Sequence, residues 1–62
     1  MPIAIIHLME GRDEEKKARA IAAVTQALVE SLGAKPETVR VLLQEFPKSH
    51  WGIAGKPASK RE

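Results

Sequence analysis

The chain has no cysteine, and its 62 residues include only one tryptophan and one phenylalanine. Without cysteine there is neither a disulfide staple nor a thiolate metal site. No apolar run approaches the roughly 20 residues that a membrane span needs. The opening apolar stretch lacks a basic flank and a small-residue cleavage site, so it does not read as a signal peptide. A cysteine–histidine cluster, a phosphate loop and a serine-nucleophile motif are all missing. Asp13, Glu14 and Glu15 read as a solvated helix start, and no metal and no cofactor are expected. Charge of one sign is lacking too: ten basic and eight acidic residues leave a net +2, with a sequence pI of about 9.3. The charges are interspersed, giving a mixed solvated surface rather than a nucleic-acid footprint. The tail residues Lys56, Lys60 and Arg61 are basic but carry no interleaved aromatics. A cytoplasmic protein, with no nucleic-acid or membrane partner, is the expectation.

What is present is aliphatic: 44% of the residues are hydrophobic, in long runs. The length allows one domain, residues 1–62. A chain of this size buries only about 60% of the surface its unfolded form exposes, so it is marginal alone. Small scaffolds without staples commonly depend on oligomerisation. Association is the expected remedy.

The opening stretch, Met1 to Arg12, organises the rest. An initiator methionine is removed when the next residue is small, and proline qualifies. The mature chain would then begin at Pro2 with a free secondary amine. An α-amino group titrates at about 7.7 to 8.0, and apolar surroundings or neighbouring cations disfavour its charged form. Pro2 would be a neutral, rigid base near pH 7. The alternative is that proline merely tolerates the start of an edge strand, having no N–H for the ladder.

Pro2 to Met9 reads as a strand, isoleucine-rich and too short for a typical helix. Ile3, Ile5 and His7 point one way; Ala4, Ile6 and Leu8 point the other. Asp13 is placed to cap a helix from about Glu14 to Leu32, with Glu14 and Glu15 in the first turn. Ile21, Val24, Leu28 and Leu32, with Ala18 and Thr25, form its apolar stripe. Lys16, Lys17, Arg19, Gln26 and Glu30 fall mainly on the other side. Gly33 ends the helix, and 34–37 form a connector. A second strand follows from Thr38 to Phe46, with Val39, Val41 and Leu43 on one face and Arg40, Leu42, Gln44 and Phe46 on the other. The fold class is therefore α/β: one β-α-β unit, whose helix covers one sheet face and leaves the other, still apolar, for a partner chain. Gly52, Gly55 and Pro57 allow a short C-terminal hairpin. The tail from Pro57 to Glu62 is polar and expected to be mobile unless docked on a neighbour.

Three residues stand out against this background: Pro2, Arg12 and Arg40. A guanidinium among aliphatics needs a carboxylate, internal or bound, and its planar fork matches one bidentately. A salt bridge or a snorkelling side chain is the plainer account of either arginine alone. Trp51, in a turn between His50 and Gly52, is an aromatic wall for a ligand or an interface anchor. His7 reads as a hydrogen-bonded packing residue, and His50 as a local hydrogen-bonding residue of the turn.

Taken together, Pro2-Ile3-Ala4-Ile5-Ile6-His7, Glu10-Gly11-Arg12, Val39-Arg40-Val41 and His50-Trp51-Gly52-Ile53-Ala54-Gly55 resemble the 4-oxalocrotonate tautomerase family. The resemblance covers nearly the whole chain. It implies a tautomerase-like fold assembled as a trimer of dimers, a homohexamer, with a heterohexamer as the alternative. It implies Pro2 as catalytic base, with Arg12 and Arg40 as substrate arginines that reach the proline of a neighbouring subunit. Trp51 stands where the family usually has phenylalanine, which keeps the wall apolar and changes its size. The backbone near Met9 matches a position lining the same pocket. The implied reaction is a cofactor-free keto–enol tautomerisation of an unsaturated 2-oxo acid such as 2-hydroxymuconate. Dehalogenase-like hydratases of the same superfamily use an acidic residue near the C-terminal segment, and residues 50–55 offer none. A non-catalytic subunit of a hetero-oligomer is the other alternative.

Overall fold

Two seven-residue strands, β1 (Ile3–Met9) and β2 (Arg40–Phe46), run parallel and pair residue for residue from Ile3↔Arg40 to Met9↔Phe46. The computed structural model describes residues 1–60 of the chain. Parallel strands need a crossover long enough to return the chain, and helix α1 (Glu14–Leu32) supplies it. The expected helix bounds are met at both ends. The Asp13 side chain accepts from the Lys16 N–H at 2.8 Å, satisfying a donor that the first turn leaves free. At the other end Gly33 adopts φ +69°, and its N–H donates to the Val29 carbonyl at 3.0 Å. That left-handed cap suits a residue without a Cβ.

The second strand starts two residues later than its apolar alternation suggests. Residues Pro36–Thr38 form a 3-10 turn instead. Both the N–H and the hydroxyl of Thr38 bond to the Lys35 carbonyl, at 2.9 and 2.7 Å. This local bonding competes with the ladder and wins at Thr38. After β2, residues Lys48–His50 make another 3-10 turn. The C-terminal hairpin pairs β3 (Gly52–Ile53) with β4 (Lys56–Pro57) in antiparallel register. Ala54 (φ 52°) and Gly55 (φ 85°) close it, and a two-residue loop with both φ positive is the type I′ turn that matches strand twist. Residues Ala58–Lys60 turn back as a 3-10 segment. The Ala58 N–H donates to the Trp51 carbonyl at 2.7 Å, so this part of the expected mobile tail is docked on its own chain. Arg61 and Glu62, the rest of that expectation, lie outside the described residues.

Helix α1 lies on the face carrying Ala4, Ile6, Leu8, Val41 and Leu43, all half-buried. Its inner stripe is Lys17, Val24, Thr25, Leu28 and Val29. The centre of the expected stripe holds; its ends do not. Ala18 and Ile21 are exposed, and Leu32 is 64% exposed where the helix outruns the sheet. Lys17, expected on the outer side, turns inward. It bridges Glu14 at 2.8 Å and Glu45 of β2 at 3.2 Å, because Glu45 continues the parity of Val41 and Leu43. Both carboxylates, Glu14 first, raise the Lys17 pKa above its ordinary value.

The opposite sheet face is bare. Ile3 is 60%, Ile5 58% and Leu42 51% exposed, and Val39 is the single buried apolar residue among those described. A compact chain of this length has a radius of gyration of about 10.6 Å, whereas this one measures 14.5 Å, with extents of 42 × 23 × 14 Å. Its accessible surface of 4850 Å² exceeds by about 900 Å² what its mass calls for in a folded monomer. That excess is close to one partner's share of a standard interface. The shape is that of a subunit.

Candidate active site

Pro2 sits immediately before β1 and is half-buried. Its carbonyl accepts from the Arg40 N–H at 3.0 Å, which ties the Pro2 main chain to the first residue of β2. Met1 precedes it and is 82% exposed. While Met1 is attached the Pro2 nitrogen is an amide and has no basic lone pair; removal of Met1 converts it into the secondary amine.

Arg40 is exposed and folds back over the turn before β2. Its Nη1 donates to the Glu37 carbonyl at 2.8 Å and to the Val39 carbonyl at 3.2 Å. Among the described residues it has no carboxylate partner; the ion pairs there all involve Lys17. Of the two plainer accounts of this arginine, the salt bridge is not made among the described residues. A second face of the guanidinium fork stays available to an anion.

Met9, Arg12 and Trp51 belong to the other end of the sheet. Met9 closes β1, and Arg12 reaches back to its carbonyl through Nη1 at 3.4 Å, the long limit of a hydrogen bond. Arg12 too is exposed and has no carboxylate partner among the described residues. Trp51 follows the turn after β2, with its ring centroid 6.3 Å from that of Phe46, the register partner of Met9. His7 lies 5.5 Å from Phe46 on the same face, so it packs by ring contact.

The five candidate residues thus form two groups, Pro2 with Arg40 and Met9 with Arg12 and Trp51. Six residue steps of β1 separate them, about 20 Å at the usual strand rise. An arginine side chain cannot cross that distance within one chain. The described structure does have an open groove of about 290 Å³, lined by Glu14, Lys17, Ile21, Val41, Leu42, Leu43 and Glu45. It runs between α1 and the free edge of β2 and contains none of the five. Among the described residues there is also no group of acidic and histidine side chains able to hold a metal ion, and no helix is long and apolar enough to cross a membrane.

Phe46 is the residue that sequence reasoning passed over. It lies on the open face beside Trp51 and His7, yet in a strand of alternating apolar residues it carried no distinguishing mark. The signal was the rarity of aromatics: the only two benzenoid side chains of the chain stand five positions apart.

Comparison with known proteins gives the geometry its setting. Residues 2–61 match the tautomerase enzyme family. A 2-hydroxymuconate tautomerase from a Pseudomonas species is 52% identical over 60 residues, 97% of this chain and 95% of the relative. The crystal structure of TomN, a 4-oxalocrotonate tautomerase homologue in the tomaymycin biosynthetic pathway, superposes with a TM-score of 0.94 at 35% identity, covering 97% of this chain and 92% of that one. A heterohexamer 4-oxalocrotonate tautomerase from Chloroflexus aurantiacus superposes with a TM-score of 0.94 at 29% identity, over the full length of both chains. With its β-α-β unit, its length and nearly every residue in register with these relatives, the chain belongs to the tautomerase enzyme family and is a 4-oxalocrotonate tautomerase-like isomerase.

Proposed function

We propose that the protein interconverts the enol and keto forms of unsaturated 2-oxo acids such as 2-hydroxymuconate, without a cofactor. The likeness to 2-hydroxymuconate tautomerases over almost the whole of both chains carries this reading. In the mechanism Pro2, freed of Met1, is a neutral amine. It takes the proton of the 2-hydroxyl group as the C–O bond becomes a carbonyl, and the proton returns to carbon at the far end of the shifted double bond. Arg40 binds the 2-oxo and adjacent carboxylate region and stabilises the charge that develops on oxygen. Arg12 holds a distal carboxylate and fixes the substrate's orientation. Trp51 forms an apolar wall that keeps water from the amine and favours its neutral form, and the backbone near Met9 lines the same pocket.

The separation of Pro2 and Arg40 from Arg12, Met9 and Trp51 supports a site shared between subunits. So does the bare sheet face. A homohexamer built as a trimer of dimers is the assembly proposed, and the Chloroflexus relative makes a heterohexamer the second form.

The test is conversion of 2-hydroxymuconate by protein whose mass verifies loss of Met1, with Pro2→Ala measured beside it. Turnover by the parent and its loss in the variant are expected. Equal turnover by both would remove Pro2 as the base. No turnover by the homo-oligomer, restored by a second tautomerase-like chain, would identify one subunit of a heterohexamer.

A further inference from the structure

We infer that Phe46 is a positioning residue that holds the Trp51 indole in place as the wall of the site, and so sets how tightly the substrate's conjugated carbon chain is gripped. The inference rests on the tautomerase reading above for its kinetic consequence, but its geometric part stands alone. Phe46 is the last residue of β2 and half-buried. Its carbonyl accepts from the Glu10 N–H at 2.9 Å, which ties it to the end of β1. Its ring has two aromatic neighbours. The His7 imidazole sits 5.5 Å away at an interplanar angle of 39°, and the Trp51 indole 6.3 Å away at 59°. Both separations lie within the range in which aromatic rings attract one another in tilted arrangements.

Trp51 needs such a support. Its backbone is fixed, since its N–H donates to the Lys48 carbonyl at 3.2 Å and its carbonyl accepts from Ala58 at 2.7 Å. Those bonds leave the indole free to rotate about its own side-chain torsions. The Phe46 ring is the aromatic surface against which the indole rests. Pro47, between strand and turn at φ −64°, restricts one backbone torsion of the link between the two residues. The His7 imidazole is a second ring against Phe46, 5.5 Å away on the same sheet face. The three rings therefore form a relay from β1 to the turn, ending on the wall residue.

The chain's single tryptophan makes the inference directly measurable, because intrinsic fluorescence reports Trp51 alone. The assembled protein is compared with Phe46→Ala, Phe46→Leu and Phe46→Tyr for Trp51 emission, acrylamide quenching, and kcat and KM on 2-hydroxymuconate. In Phe46→Ala a red-shifted emission and freer quenching are expected. KM should rise about 3- to 10-fold, the size of one lost aromatic pair, with a smaller change in kcat. Phe46→Tyr keeps the ring and should restore both signals; Phe46→Leu fills the space without a ring and should not. Unchanged Trp51 fluorescence in Phe46→Ala, or full recovery by leucine, would overturn the role. Should Phe46→Ala fail to assemble, the contrast between leucine and tyrosine decides alone. Absence of turnover by the parent would count against the proposed reaction, while the fluorescence series would still decide whether Phe46 holds Trp51.

Discussion

Arg40 ends on carbonyl oxygens, with donors at 2.8 and 3.2 Å and no carboxylate among the described residues. A guanidinium held by neutral acceptors keeps its full charge for a ligand. If it stabilises the developing oxyanion, Arg40→Ala should lower kcat/KM by about 10²- to 10³-fold, the usual effect of removing one such donor. Arg40→Lys should recover little, because an ammonium is a point charge without the planar fork. Steady-state kinetics on the two variants checks this; near-parental activity in the lysine variant would mean that charge alone suffices. Pro2, Arg12 and Arg40 could be singled out in the sequence because each breaks its surroundings: an imino acid opening a strand, and cations beside aliphatics. Phe46 could not, since an apolar residue in an apolar strand has packing as its default account. Only the nearness of the Trp51 and His7 rings gives it a second one.

At the level of elements, α1 owes its start to one side chain and its docking to another. Replacing Asp13 with alanine strands the Lys16 N–H, and the cost should be about 0.5–2 kcal/mol, read from chemical or thermal unfolding. Lys17 behaves differently because it joins elements. Its pKa is raised, chiefly by the hydrogen bond to Glu14 and then by that to Glu45. A cation favoured by the fold contributes stability below its ordinary pKa of 10.5, and the contribution fades as pH rises through the higher folded value. The melting temperature should therefore fall as pH rises above 10.5 towards the higher folded value, and Lys17→Gln should flatten this limb. The pair is solvent-reached, so added salt should also weaken it. An unchanged alkaline limb in the variant would show that the bridge does not couple helix to sheet. The helix bounds were readable from Asp13 and Gly33, since caps are local chemistry. The inward turn of Lys17 was not, because its cause, Glu45, lies 28 positions away.

For the whole molecule the decisive facts are the bare face bearing Ile3, Ile5 and Leu42 and a radius of gyration well beyond that of a compact chain. A fold stabilised by association has a melting temperature that rises with protein concentration. That rise is expected here, and sedimentation should find an oligomer with no stable folded monomer. Leu42→Lys places a charge at the centre of the open face; it should dissociate the assembly and abolish turnover together. Retained turnover by a dissociated Leu42→Lys chain would refute a shared site. Such a result would also require Arg12 to reach Pro2 within one chain, across about 20 Å of strand.

The β-α-β order, the helix and its caps, the hairpin, the prominence of Pro2, Arg12 and Arg40, and the family likeness that gives those three their roles can all be read from the residues alone. Periodicity, capping and turn chemistry are local, so they survive without coordinates. The folded chain was needed to establish that the strands pair in register from Ile3↔Arg40 to Met9↔Phe46, and with it that the candidate residues fall at opposite ends of one sheet. The reason is the parallel ladder: it sets Pro2 beside Arg40 and Met9 beside Phe46, and the length of the strand keeps those two groups apart.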